Sequence, residues 1–191
     1  KKLKISPDSW RDVWAAEHVR AFSVARITAV DVLEDIRGAV SKAVEKGVPI
    51  DQFRSNLSAI LQSKGWLAKP GEKPGEKLTP WRLDTIYTTN LQSAYQAGRY
   101  KQMLEVANTR PYWQYDAVMD SRTRFAHAAL NGKVYRFDHP FWDKWYPPNG
   151  FRCRCTVRTL SERQMLRRGL VEETVGTDLS PDEGFAYNPG E

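Results

Sequence analysis

Only two cysteines occur among the 191 residues, and they stand one residue apart at Cys153 and Cys155. A pair so spaced makes no disulfide framework, which leaves a metal site, a reactive thiol or two small buried hydrophobes. Long apolar runs are also lacking: nothing approaches the roughly 18 to 20 residues that cross a bilayer. The first residues, "KKLKISPDSW", hold no apolar stretch of the signal-peptide kind. These absences lead us to expect a soluble, cytosol-made protein that does not enter a membrane. No P-loop, G-x-S-x-G, H-E-x-x-H or paired-carboxylate pattern is present, and no repeat at a fixed period. Positive charge is missing from the last 21 residues, which carry six Asp and Glu. Residues 120–170, by contrast, hold 11 Lys and Arg against 4 Asp and Glu, a net of +7 within a chain of net +6. That basic block suits phosphates or an acidic protein surface, while the acidic tail either solvates itself or folds back onto the block.

The 41% of apolar residues suffice for a core. Ser6 and Pro7 read as the start of a helix. From there Trp10, Val13, Trp14, Phe22, Val32, Ile36, Val40 and Val44 recur at helical spacing up to Gly47 and Pro49, an unusually long helical stretch, continuous or broken once. His18 falls on the same apolar face and reads as a packing histidine. A second helix from Asp51 to about Gly65, with Phe53, Leu57, Ile60 and Leu61 inward, completes a helical hairpin. "KPGEKPGEK" is a polar Pro/Gly loop, and Thr79 and Pro80 open a third helix with Trp81, Ile86, Leu91, Tyr95 and Met103 among its apolar positions.

Past residue 108 the texture changes. "YWQYDAVM" reads as a strand, "RFAHAAL" as a short helix, "GKVYRF" as a strand, "FWDKWYPPNG" as an aromatic loop, "CRCTVRTL" as a strand, and "SERQMLRRGL" as a helix capped by Ser161. The expected fold is α+β: long N-terminal helices and a helical hairpin followed by a small α+β unit with a short sheet. The expected organisation is a helical region over 1–68, a flexible loop over 69–78, a helix plus α+β module over 79–170 and an acidic tail over 171–191.

The polar run "DSRTRFAH" places Asp120 where it would cap the short helix, Arg122 within reach of Asp120 or Asp138, and His127 toward the strand that carries the cysteines. A nuclease or nucleotide-modifying enzyme would find in Asp120, Arg122, His127 and His139 groups that move protons and steady phosphates. Zinc prefers thiolate and imidazole in a tetrahedral set, and Cys153, Cys155 and His127 supply three such donors. His139, Asp120, Asp138 or water is the candidate fourth. On a regular strand the two sulfurs are held apart, so shared ligation requires a bulge or turn near "PPNG". Arg152, Arg154 and Arg158 alternate with Cys153, Cys155 and Val157, which puts the arginines on one face for a phosphate backbone or the acidic tail.

The segment "MDSRTRFAHAALNGKVYRFDHPFWDKWYPPNGFRCRCTVRTLS" resembles the signature region of the phage Mu protein F-like minor head proteins, a tailed-phage head morphogenesis family. "RLDTIYTTNLQSAYQAGRYKQ" and "EKGVPIDQFRSNL" are similar to its upstream helices, so the resemblance covers roughly residues 30–165. The signature falls on Asp120, Arg122, Thr123, His127, Gly132, Pro147, Pro148, Cys153, Arg154 and Cys155. The resemblance implies a minor capsid protein of a phage or prophage with no catalytic residue. Such a protein would bind portal protein, major capsid protein or packaged double-stranded DNA, form oligomers, and reside in the virion after assembly in the host cytoplasm. It implies no cofactor, zinc excepted. Many relatives carry a histidine three positions before the first cysteine and a cysteine where His127 stands, a zinc-like quartet. Here Gly150 takes the first of those places, and His139 is the substitute the chain offers.

Overall fold

A computed structural model describes residues 3–5, 21–24, 27, 29–73 and 77–191. The chain divides into two compact units, 1–91 and 92–191. The division lies inside a helix rather than at the 69–78 loop. The two ends of that loop are tied together: Leu78 N–H donates to Trp66 O (2.8 Å), and Ala68 N–H donates to Leu78 O (2.9 Å). Leu78 is fully buried and Lys77 pairs with Glu72, so the described part of this loop belongs to the first unit.

In the first unit strands β1 (Leu3–Ile5) and β2 (Ala21–Ser23) pair in parallel. Within the helical stretch expected from Ser6, with room for one break, Ala21–Ser23 is therefore strand and not helix. Ser6, Pro7, Trp10, Val13, Trp14 and His18 lie outside the described residues, but Phe22 sits in an extended segment whose backbone is bonded to another strand. Helix α1 (Val30–Lys46) begins only after extended Ala29 and ends at Gly47, whose φ of +63° is the left-handed conformation that closes a helix. Helix α2 (Ile50–Ser63) follows Pro49. Val32, Leu33, Ile36, Val40 and Ala43 of α1 pack with Phe53, Leu57 and Leu61 of α2 and with Leu83 of helix α3 (Pro80–Glu105). Ile60, expected inward, is exposed, because the buried stripe of α2 runs 53, 57, 61 at four-residue spacing.

The second unit is α+β. Strands β3 (Tyr112–Asp116), β4 (Val134–Arg136) and β5 (Thr156–Leu160) form an antiparallel sheet in the order β4-β3-β5. Trp113 lies opposite Tyr135 and Thr159, and Tyr115 opposite Val157. Helices α4 (Phe125–Ala129) and α5 (Phe141–Trp145) fill the connections, and α6 (Glu162–Arg168) follows β5. The segment expected to be an aromatic loop contains α5, because one helical turn lets Phe141, Trp142 and Trp145 all point into the core. There they meet Trp113, Tyr115, Tyr135 and Tyr146 in a continuous set of ring contacts. Ser161 caps α6 in a full capping box with Gln164.

Strand β5 has a free edge, which polar side chains cover. Gln92 and Gln96 of α3 donate to Cys155 O (3.2 Å each), Arg99 to Val157 O (2.8 Å), and Arg110 to Thr159 O (2.5 Å). This is why so many positions of α3 are polar where a buried helix would be apolar. The acidic tail folds back. Glu173 N–H donates to Val134 O, Lys133 pairs with Glu173, Arg124 with Asp182, and Phe185 and Asn188 are buried.

Gly38 sits on the outer side of α1 with open space where a Cβ would stand, so Gly38→Ala should stabilise the protein by about 0.5–1 kcal/mol. Leu57→Ala, in contrast, empties a fully buried site and should cost about 2–5 kcal/mol. Urea unfolding followed by circular dichroism reads both signs.

Candidate functional site

The turn that precedes β5 determines where the cysteines point. Residues 153–155 are not strand; β5 begins only at Thr156. Arg152 adopts φ +59°, a left-handed conformation, and Cys153 N–H donates to Gly150 O (3.1 Å) in a tight turn. The Pro147–Pro148 peptide upstream is cis. The arginines still face outward and the cysteines inward, but the alternation comes from this turn rather than from a strand. Both sulfurs reach one imidazole: His127 Nδ1 lies 3.7 Å from Cys153 Sγ and 3.5 Å from Cys155 Sγ. The three ligand atoms lie within 4.8 Å of one another, and their residues are 2%, 6% and 3% exposed.

Helix α4 delivers His127, edge-on to Trp145 at 6.0 Å between ring centres. Its Nε2 is buried without a hydrogen-bond partner among the described residues. The sulfurs themselves are surrounded by donors. Cys153 Sγ is hydrogen-bonded by the backbone of Asn149 and of Cys155, and Cys155 Sγ by the backbone of Val118 and the hydroxyl of Tyr115. Of the two coupled thiols Cys153 ionises first. The hydrogen bond from Cys155 lowers it most, against burial, and His127 adds to the effect. Cys155 is held up by sharing its proton with Cys153 and by burial. Tyr115 is raised far above the ordinary phenol range by burial, then by the two cysteines.

The other expected site residues fall elsewhere. His139 does not join the cluster: its Nδ1 accepts from Phe141 N–H (3.0 Å) and its ring lies on Tyr135. Asp138 pairs with Arg136. Asp120 does not cap α4, whose N-cap is Arg124. Its carboxylate instead accepts Arg122 N–H (3.0 Å), Thr123 Oγ1 (3.2 Å) and both terminal nitrogens of Arg154 (2.7 Å each). The Arg154 bonds hold it well below the usual carboxylate range. Arg122 itself reaches Asp120 at 3.7 Å. Asp120 and Arg122 thus sit on a surface turn with their charges matched, whereas His127 is turned inward to the thiols. No contact among the described residues links these groups as the enzyme reading requires. Gly132, at φ +84°, turns the chain into β4. The arginine row is also spent internally in part: Arg158 pairs with Asp116 at 2.6 Å, as Arg154 does with Asp120.

Residues that sequence reasoning passes over hold the turn in place. Asn149 is fully buried and donates to Tyr115 Oη (2.8 Å) and Trp145 O (3.1 Å). Asp182 N–H donates to Asn149 O, and Arg124 bonds Phe151 O while pairing with Asp182 at 2.9 Å. An asparagine between proline and glycine signals a turn, but nothing in its spacing reveals that the turn is buried.

Residues 34–158 match the family model described as "Phage Mu protein F like protein". The chain belongs to the phage Mu protein F-like family. Among curated relatives of this Mu F-like chain, the "Putative capsid assembly protein F" of Escherichia phage Mu is 40% identical over 220 residues, covering 95% of this chain and 50% of that protein. The "Mu-like prophage FluMu F protein" of Haemophilus influenzae is 42% identical over 178 residues, covering 92% and 43%. The Mu F-like chain thus spans about half the length of these relatives. No solved structure matches it.

Two substitutions test the geometry. A Cβ at Gly150 would run into the Asp182 carboxylate and lie 3.2 Å from Arg124 Cζ, so Gly150→Ala should break the Arg124–Asp182 pair and cost about 1–3 kcal/mol, read by thermal unfolding. The Asp120–Arg154 clamp contributes fully above an unfolded aspartate pKa of about 3.9 and fades as pH falls toward the depressed folded value. Wild type and Asp120→Asn should therefore converge in stability on acidification through that window, as acid-titrated unfolding curves will reveal.

Proposed function

We propose that this chain is a head-assembly component of a tailed phage or prophage, incorporated into the virion after assembly in the host cytoplasm. It acts by binding portal protein, major capsid protein or packaged double-stranded DNA. The observation that carries this reading is the 40% identity, across 95% of the chain, to a phage Mu protein whose name assigns it to capsid assembly. The position of the cationic surface supports a binding role. Arg154 and Arg158 are committed to Asp120 and Asp116. On α6, however, Arg163, Arg167 and Arg168 are exposed and have no acidic partner among the described residues, and Leu166 beside them is 79% exposed. Among the described residues no helix is long and apolar enough to cross a membrane.

Fractionation of procapsids and virions is the direct test: the protein should co-sediment with heads, and its absence from both particles would overturn the reading. Replacing Arg163, Arg167 and Arg168 together by Glu should abolish incorporation while changing stability by no more than about 0.5 kcal/mol per site. If the partner is DNA, the same triple variant should lower the dependence of log affinity on log salt by about one per arginine. An unchanged slope assigns the surface to a protein partner.

A further inference from the structure

The cluster of Cys153, Cys155 and His127 has more donors than a thiol pair in an apolar core can use. A neutral imidazole whose Nδ1 carries the proton has one N–H to give on that side, yet two sulfurs lie within 3.7 Å of that single nitrogen. The sulfurs meanwhile receive hydrogen bonds from the backbones of Asn149, Cys155 and Val118 and from the Tyr115 hydroxyl. Two sulfurs and one imidazole nitrogen, all buried and all within 4.8 Å of one another, converge as the ligands of a single cation do.

The geometry answers to one kind of cation. A tetrahedral zinc, with Zn–S of about 2.3 Å and Zn–N of about 2.0–2.1 Å, sets sulfur and nitrogen roughly 3.5 Å apart. The observed separations of 3.5 and 3.7 Å match that edge before any metal is added. Oxygen-seeking cations are disfavoured by a donor set of two sulfurs and one imidazole nitrogen.

We propose that Cys153 Sγ, Cys155 Sγ and His127 Nδ1 hold a structural zinc ion whose fourth ligand is not His139, Asp138 or Asp120. Each of those three is engaged elsewhere: His139 with Phe141 N–H, Asp138 with Arg136, and Asp120 with Arg154. Water takes the fourth position. The ion ties α4 to the turn before β5 across 26 and 28 residues of chain, which is the work of a cross-link in a protein whose two cysteines are both free. Binding releases the thiol protons to solvent, and no oxidation is involved.

The experiment uses the chain as expressed, purified under thiol reductant without chelator. Elemental analysis should return close to one zinc per chain, and zinc-edge X-ray absorption should resolve two sulfurs with nitrogen and oxygen completing the shell. Cobalt(II) exchanged into the same protein should give thiolate-to-cobalt charge-transfer absorption. Cys153→Ser and Cys155→Ser should each lose the metal, while His139→Ala and Asp138→Asn keep it. If the cysteine variants fail to fold, the X-ray absorption shell of the wild type decides alone. Folded wild-type protein with less than about 0.2 metal equivalents, against the near-full occupancy of a structural site, overturns the proposal. So does a zinc shell without sulfur, a copper or iron ion in the sulfur site, or loss of zinc on His139→Ala alone. Assembly into heads is measured separately, so failure here leaves the proposed function standing.

Discussion

The second unit depends on one backbone constraint: the chain must turn sharply between Gly150 and Cys155 and then enter the sheet at Thr156. On a regular strand two residues spaced like 153 and 155 would stand about 6.6 Å apart along the chain axis and project in parallel. The left-handed Arg152 and the Cys153–Gly150 hydrogen bond break that spacing and aim both sulfurs at His127. An arginine in this conformation carries a steric cost of roughly 1–2 kcal/mol, which the surrounding bonds must offset. Asn149 supplies two of them, from within the aromatic core, and Arg124 supplies another from outside.

Everything around the turn is fastened to it. The aromatic rings of α5 and β3 make its inner wall, and Tyr115 serves both as a packing group and as a hydrogen-bond partner of Asn149 and Cys155. Gln92 and Gln96 hold the carbonyl of Cys155, the last residue before the strand, so the edge of β5 and the end of the turn are fixed by the same helix. The tail closes the outer side through Asp182 and the contact of Phe185 with Phe151. Two acidic residues of the tail are thereby used locally, Asp182 on Arg124 and Glu173 on Lys133.

Much of the helical architecture is legible in the sequence because local signals and packing agree. Gly47 and Pro49 stop α1, the 53-57-61 stripe faces the core, and Ser161 with Gln164 announces α6. The aromatic segment misleads a sequence reading because Phe, Trp and Tyr do not favour helices on propensity, whereas α5 forms to bury three rings at once. The N-terminal periodicity misleads because helical spacing of apolar residues does not reveal a strand partner at Leu3–Ile5. Asp120 has the sequence position of a cap, yet Arg154, 34 residues away, competes for its carboxylate and wins with two short bonds.

By itself the sequence determined the donor chemistry and the family: two thiols and an imidazole, arginines interleaved with the cysteines, and a signature region that belongs with the phage Mu protein F-like proteins. These are properties of residue type and short-range order. Only the tertiary structure decided which histidine faces the thiols and which carboxylates claim the arginines. His139 lies closer in sequence to the cysteines than His127 does, but β4 and α5 commit it to Tyr135 and Phe141, while α4 carries His127 into the core. Selection among chemically equivalent side chains follows from which elements pack together, and that depends on contacts between distant parts of the chain that spacing does not encode.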